Sequence, residues 1–134
     1  MNFDFDLVTR SFPLLLLGAG VTIQITALSV GFGLVIGVFM GMARLSKMWV
    51  IRSFAAVYVD FIRGTPLLVQ IFLIYFALPI IIGQRIDPFV AAITACSVNS
   101  GAYVAEIFRG GIQSIDKGQM EAGLTIGLSR FQTW

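Results

Sequence analysis

A chain of 134 residues in which 57% are hydrophobic and only 12% charged has too little polar side chain to cover a water-soluble core, since soluble domains carry roughly a quarter of their residues as charges. The mean hydropathy of +0.91 and the net charge of only +2 point to a lipid bilayer as the partner and give no footing to nucleic acid. With no histidine and one cysteine, Cys96, the sequence offers no internal disulfide, no cysteine–histidine metal site and no histidine-based triad.

The N-terminus "MNFDFDLVTR" is acidic and lacks the basic leader of a cleaved signal peptide, so the first apolar run is expected to stay in the mature chain. Three runs carry no charge: Leu14–Ala43 with 30 residues, Gly64–Gln84 with 21 and Pro88–Ala105 with 18. A hydrocarbon layer of ~30 Å takes about 20 helical residues. We read an all-α integral membrane chain with spans at about 18–42, 64–83 and 88–108. The long first run divides into an interfacial approach over Pro13–Leu17 and a tilted crossing over Gly20–Met42.

Arg44, Lys47, Arg52 and Arg63 lie between spans one and two, and Arg109, Lys117 and Arg130 follow span three, whereas the opposite side has only Arg10 and Arg85. Cytoplasmic loops collect the basic residues. The N-terminus is therefore expected outside and a loop over 112–134 inside. Gly33, Gly37 and Gly41 recur at four-residue spacing in span one, as do Ser97, Gly101 and Ala105 in span three. Such stripes let helix backbones approach closely in lipid, so a packed bundle is expected. "GFGLVIG" (Gly31–Gly37) lacks the third glycine of a nucleotide loop and lies mid-span.

"RGTPLLVQ" sets Arg63, Gly64, Thr65, Pro66 and Gln70 at the inner mouth of span two. Thr65 suits a cap and Pro66 a first helical turn, and helix initiation alone accounts for them, with Arg63 reaching lipid phosphates. A functional role for this mouth is the other reading. The preceding "SFAAVYVDFI" lies along the inner interface or extends span two. In span three, Asn99, Tyr103 and Glu106 fall on one helical face. Polar groups at this depth face protein or a water-filled path. Either Asn99, Ser100 and Tyr103 border a substrate path, or Asn99 bonds a neighbouring helix while Tyr103 and Glu106 sit at the headgroups. Glu106 and Arg109 can pair at i, i+3.

The tail "GQMEAGLTIGLS" (Gly118–Ser129) follows Asp116, an N-cap with Gln119 in capping-box register. Gly127 suits a left-handed C′ position, and Ser129 with Gln132 repeats the cap. The tail predicts helix, tight turn, helix. With few basic residues it fits a protein groove better than a lipid surface.

"GQMEAGLTIGLS" resembles the cytoplasmic EAA loop of bacterial ABC importer permeases. "YVDFIRGTPLLVQIFLIYFALP" and "SGAYVAEIFRGGIQSIDKGQMEA" look like the polar amino-acid subfamily, which takes up glutamine, glutamate, histidine or arginine. The resemblance implies a type I importer permease of five spans, three of them present here, plus a cytoplasmic coupling helix. It implies a second permease subunit, identical or different, two cytoplasmic ATPase subunits and an extracytoplasmic amino-acid-binding protein in a bacterial inner membrane. Gln119, Glu121, Ala122, Gly123 and Gly127 would form the ATPase-coupling element. ATP and Mg²⁺ would sit on the partner ATPase, with no cofactor on this chain, and no Walker A loop occurs in it. Gly123 replaces the family's usual alanine, at about 1 kcal/mol of helix propensity. Family members continue through two more spans, so a partial reading frame is expected. The competing classes are a non-transporting membrane assembly subunit and a component of a secondary transporter or channel.

Overall fold

The first apolar run folds as one helix, α1 (Phe5–Leu45), in a computed structural model that describes residues 5–133, apart from the side chains of residues 5–7 and Lys117. Residues 1–4, whose placement the charge pattern addresses, and Trp134, the end of the 112–134 loop, lie outside the described residues. Pro13 sits inside α1, so one continuous helix carries both the stretch read as an interfacial approach and the stretch read as a crossing. A proline removes one backbone donor and costs about 3 kcal/mol in a helix interior. Unwinding the flanking turns in lipid would bare several backbone groups at once, and the helix runs on.

The third run forms α5 (Pro88–Gln113), started by Pro88 at its first position and by Asp87, whose Oδ1 accepts from the Phe89 and Val90 amides at 2.9 and 3.3 Å. It extends beyond the expected 108. Arg109 marks where charge returns, but nothing at Gly110 or Gly111 stops the backbone bonding. The two stripes meet along an α1–α5 seam. A Cβ added at Gly33 would lie 2.7 Å from Ser100 Cβ, one at Gly37 would be 2.9 Å from the Gly101 carbonyl, and one at Gly41 would be 3.0 Å from the Ala105 carbonyl. Ser97, Gly101 and Ala105 are buried. Paired numbers rise together, so α1 and α5 run parallel.

Parallel neighbours require the chain to travel back between them. It does so through α2 (Trp49–Gly64), α3 (Leu67–Phe72), a π-helical turn (Leu73–Ala77) and α4 (Leu78–Ile82). The axis turns by 105° between Trp49–Gly64 and Leu67–Ile82. Ser53–Ile62 thus belongs to a separate helix, sharply bent from the return helix, rather than to a straight extension of span two. The return helix begins at Leu67, not at 64, because the break falls on Thr65 and Pro66. The wide turn has a local cause. Pro79 cannot donate to the carbonyl four residues back, and the Leu78 amide instead reaches Leu73 O, five residues back. Among the described residues, two helices are long and apolar enough to cross a membrane, and the bent pair makes a third candidate. No strand occurs among the described residues.

Candidate functional site

The break between α2 and α3 is held by Gln70, which is 6% exposed. Its Nε2 donates to Ile62 O at 2.8 Å, Thr65 Oγ1 at 2.9 Å and Thr65 O at 3.1 Å. Its Oε1 accepts from Asn99 Nδ2 of α5 at 3.3 Å. One amide therefore closes the end of α2 and ties the elbow to the third span. Thr65 acts differently from the expected N-cap. It is the C-cap of α2, its hydroxyl donating back to Phe61 O and Ile62 O at 3.1 and 3.3 Å. Pro66 is the N-cap of α3 and no side chain caps that start. Pro66 decides this, since the residue before a proline is pushed into extended backbone.

Tyr58 of α2 donates its hydroxyl to Val98 O at 2.7 Å. A Cβ on Gly101 would sit 3.0 Å from the Tyr58 hydroxyl oxygen, so Gly101 makes room for the tyrosine as well as for α1. Ser100 turns away from Asn99 and packs on Gly33 of α1. The structure brings Gln70, Thr65 and Asn99 together, sets Arg63 and Tyr103 nearby, and leaves Ser100 in the seam.

Glu106 gathers arginines from three helices. Arg44 of α1 donates to its Oε2 at 2.5 Å, Arg109 of α5 binds its Oε1 through Nε and Nη2, and Arg63 Nη1 of α2 is 4.0 Å away. The i, i+3 pair with Arg109 is the one read from spacing; Arg44 was not. Arg44 also lies 3.7 Å from Asp60, and Arg63 stands over the Tyr103 ring at 5.3 Å. Arg109 continues to Gln113. A carboxylate shared in this way ties the C-terminal ends of α1 and α2 to α5, because removing it would strand several charges together.

The tail forms α6 (Lys117–Thr125) and α7 (Arg130–Thr133). Asp116 caps α6 through the Gly118 amide at 2.7 Å, and the Gln119 amide bonds the Asp116 carbonyl at 3.0 Å. Gly127 has φ +89°, with Leu128 N donating to Gly123 O and Gly127 N to Leu124 O, both at 3.1 Å. These two bonds define a Schellman turn. Ser129 and Gln132 form a reciprocal capping box, Ser129 N to Gln132 Oε1 at 3.0 Å and Gln132 N to Ser129 Oγ at 3.4 Å. Gly123 has a use for its missing side chain: a Cβ there would lie 2.5 Å from Thr133 Cγ2. Gln119, Glu121 and Ala122 face solvent. Ile112, Met120, Glu121 and Leu124 help line a groove of about 500 Å³ between the end of α5 and α6. No group of three or more metal-ligating residues occurs among the described residues.

Apolar helices packed through small residues, a polar elbow between α2 and α3 and a helix–turn–helix after α5 describe a membrane chain with two candidate spans, or three with the bent pair, among the described residues. The chain belongs to the family of binding-protein-dependent transport system inner membrane components, whose profile matches residues 33–134. It is similar to the glutamine transport system permease protein of Escherichia coli, 48% identical over 134 residues, which covers 99% of this chain and 61% of that one. The arginine transport system permease protein of Bacillus subtilis is 41% identical over 128 residues, covering 96% and 58%. The L-cystine transport system permease protein of Bacillus subtilis is 46% identical over 130 residues, covering 96% and 55%. Among solved structures, an amino acid ABC transporter with histidines matches at a TM-score of 0.89 and 39% identity, covering 99% of this chain and 62% of that one. The chain thus spans less than two thirds of the length of each of these relatives.

Proposed function

We propose that this chain is part of a permease subunit that moves polar amino acids inward, of the glutamine, glutamate, histidine or arginine class. It is itself non-catalytic: ATP and Mg²⁺ are bound by a separate ATPase subunit, and the chain holds no cofactor of its own. The observation that carries the reading is the α6–α7 unit. Asp116 caps the start of α6, the Gly127 turn closes its end and Ser129 with Gln132 caps the start of α7, and the unit presents Gln119, Glu121 and Ala122 outward after α5. A capped, sparsely basic helix of this kind suits a protein groove, and similarity to amino-acid permeases supports an ATPase as the owner of that groove. A second permease subunit and an extracytoplasmic amino-acid-binding protein complete the proposed assembly, with the N-terminus outside and residues 112–134 in the cytoplasm. Asn99 and Tyr103 border the proposed substrate path, with Ser100 behind them in the seam. The neutral bonding of Gln70, Thr65 and Asn99 is the type of surface a zwitterion can pass without desolvated charges.

The test is Glu121→Lys in the complete permease, reconstituted with ATPase and binding protein. ATPase stimulation by loaded binding protein and amino-acid uptake are expected to fall at least tenfold while membrane insertion stays normal. Normal stimulation and uptake would remove this loop as the coupling element. A membrane assembly subunit or a channel would show no substrate-stimulated hydrolysis in the wild type.

A further inference from the structure

Arg63 is surrounded by acceptors that are already engaged. An arginine in the last turn of a helix ordinarily turns back onto the open carbonyls. At the end of α2, Phe61 O and Ile62 O accept from Thr65 Oγ1 at 3.1 and 3.3 Å, and Ile62 O also accepts from Gln70 Nε2 at 2.8 Å. The nearest carboxylate is Glu106, whose Oε2 takes Arg44 at 2.5 Å and whose Oε1 takes Arg109. Arg63 Nη1 is left 4.0 Å away, on a side chain 41% exposed. Its guanidinium lies over the Tyr103 ring, 5.3 Å from the centroid. The cluster is also unbalanced, with Arg44, Arg63 and Arg109 set against Glu106 and Asp60.

We propose that Arg63 and Tyr103 form a binding site for an anionic oxygen group, a carboxylate or a phosphate. The ring steadies the guanidinium plane, and the planar fork matches two oxygens of such a group at once. Among the described residues the cluster holds one more positive charge than negative, and Arg63 and Tyr103 are both about half exposed. Two sources share this chemistry. One is the carboxylate of an amino acid passing Tyr103, which rests on the importer reading; the other is the phosphate of a lipid headgroup, which does not.

The experiment uses the complete permease assembled with its ATPase and binding protein. Arg63→Gln, Arg63→Lys and Tyr103→Leu are compared with wild type in two readouts. The first is the half-saturating amino-acid concentration for uptake into proteoliposomes of phosphatidylcholine alone. The second is the amount of phosphatidylglycerol retained through detergent purification, counted by native mass spectrometry. Arg63→Gln is expected to shift one of them about tenfold, the scale of one charge-assisted bond. A shift in uptake assigns the carboxylate, and a loss of retained phosphatidylglycerol assigns the phosphate. Arg63→Lys keeps the charge without the fork and is expected to recover only part of the loss. Tyr103→Leu is expected to move the same readout in the same direction. Wild-type values in both readouts for all three variants would overturn the site. Lipid retention needs no transport, so failure of the importer reading alone would leave that arm standing.

Discussion

Glycine serves opposite ends in the α1–α5 seam and in the α6–α7 tail. In the seam, Gly33, Gly37 and Gly41 have ordinary helical backbones, and their value lies in what they admit: atoms of α5 some 60 to 70 residues further along the chain. In the tail, Gly127 faces open space, with nothing within 4 Å of an added Cβ, and its value lies in φ +89°. A side chain would meet a steric obstacle in the first place and a backbone penalty in the second. The seam is therefore a property of the whole bundle, and the tail a property of one short consecutive stretch, residues 117–133. Gly123 belongs with the seam type although it sits in the tail, since Thr133 occupies the space its side chain would fill. Its helix-propensity cost is offset by that close approach.

The comparison is open to attack at three points. Gly37→Leu is expected to cost about 3 kcal/mol or more, because Val104 and the Gly101 carbonyl already fill the site. Thermal unfolding in detergent would register it, and an unchanged melting curve would mean that the seam does not hold the bundle. Glu106→Gln is expected to cost about 2 kcal/mol, since Arg44 and Arg109 lose their shared anion. That loss should shrink in high salt, where the uncompensated arginines are screened, and equal unfolding at low and high salt would count against the ionic staple. Gly127→Ala is expected to cost about 1 kcal/mol, confined to the tail. Amide exchange over 123–133 should accelerate while that of α1 and α5 stays as in wild type. Faster exchange in the seam as well would show that the two regions are not independent.

What could be read beforehand follows the same division. The Gly127 turn and the Ser129–Gln132 box were legible because every partner lies within six residues. The seam was legible in part, because a four-residue period announces a contact face, though not which helix meets it. Arg44 with Glu106, Gln70 with Asn99 and Tyr58 over Gly101 were not legible. Each depends on the fold bringing distant positions to one depth, and a single arginine carries no sign of the carboxylate it will find. Thr65 misled for a narrower reason. Its hydroxyl can close the helix before it or start the helix after it, and only the backbone set by Pro66 chooses between them.

The parallel sense of α1 and α5 also dictates an order of assembly. A hairpin of antiparallel helices can close as soon as its second arm is made, but Gly33 must wait for Ser100, after the whole return passage has been synthesised. Chains grow at about 5–20 residues per second, so α1 spends several seconds in the bilayer with its glycine stripe facing lipid or the insertion machinery. The tail carries no such delay: α6, its turn and α7 involve only neighbouring residues and close in microseconds. During biogenesis the first helix is thus held in suspense until α5 arrives.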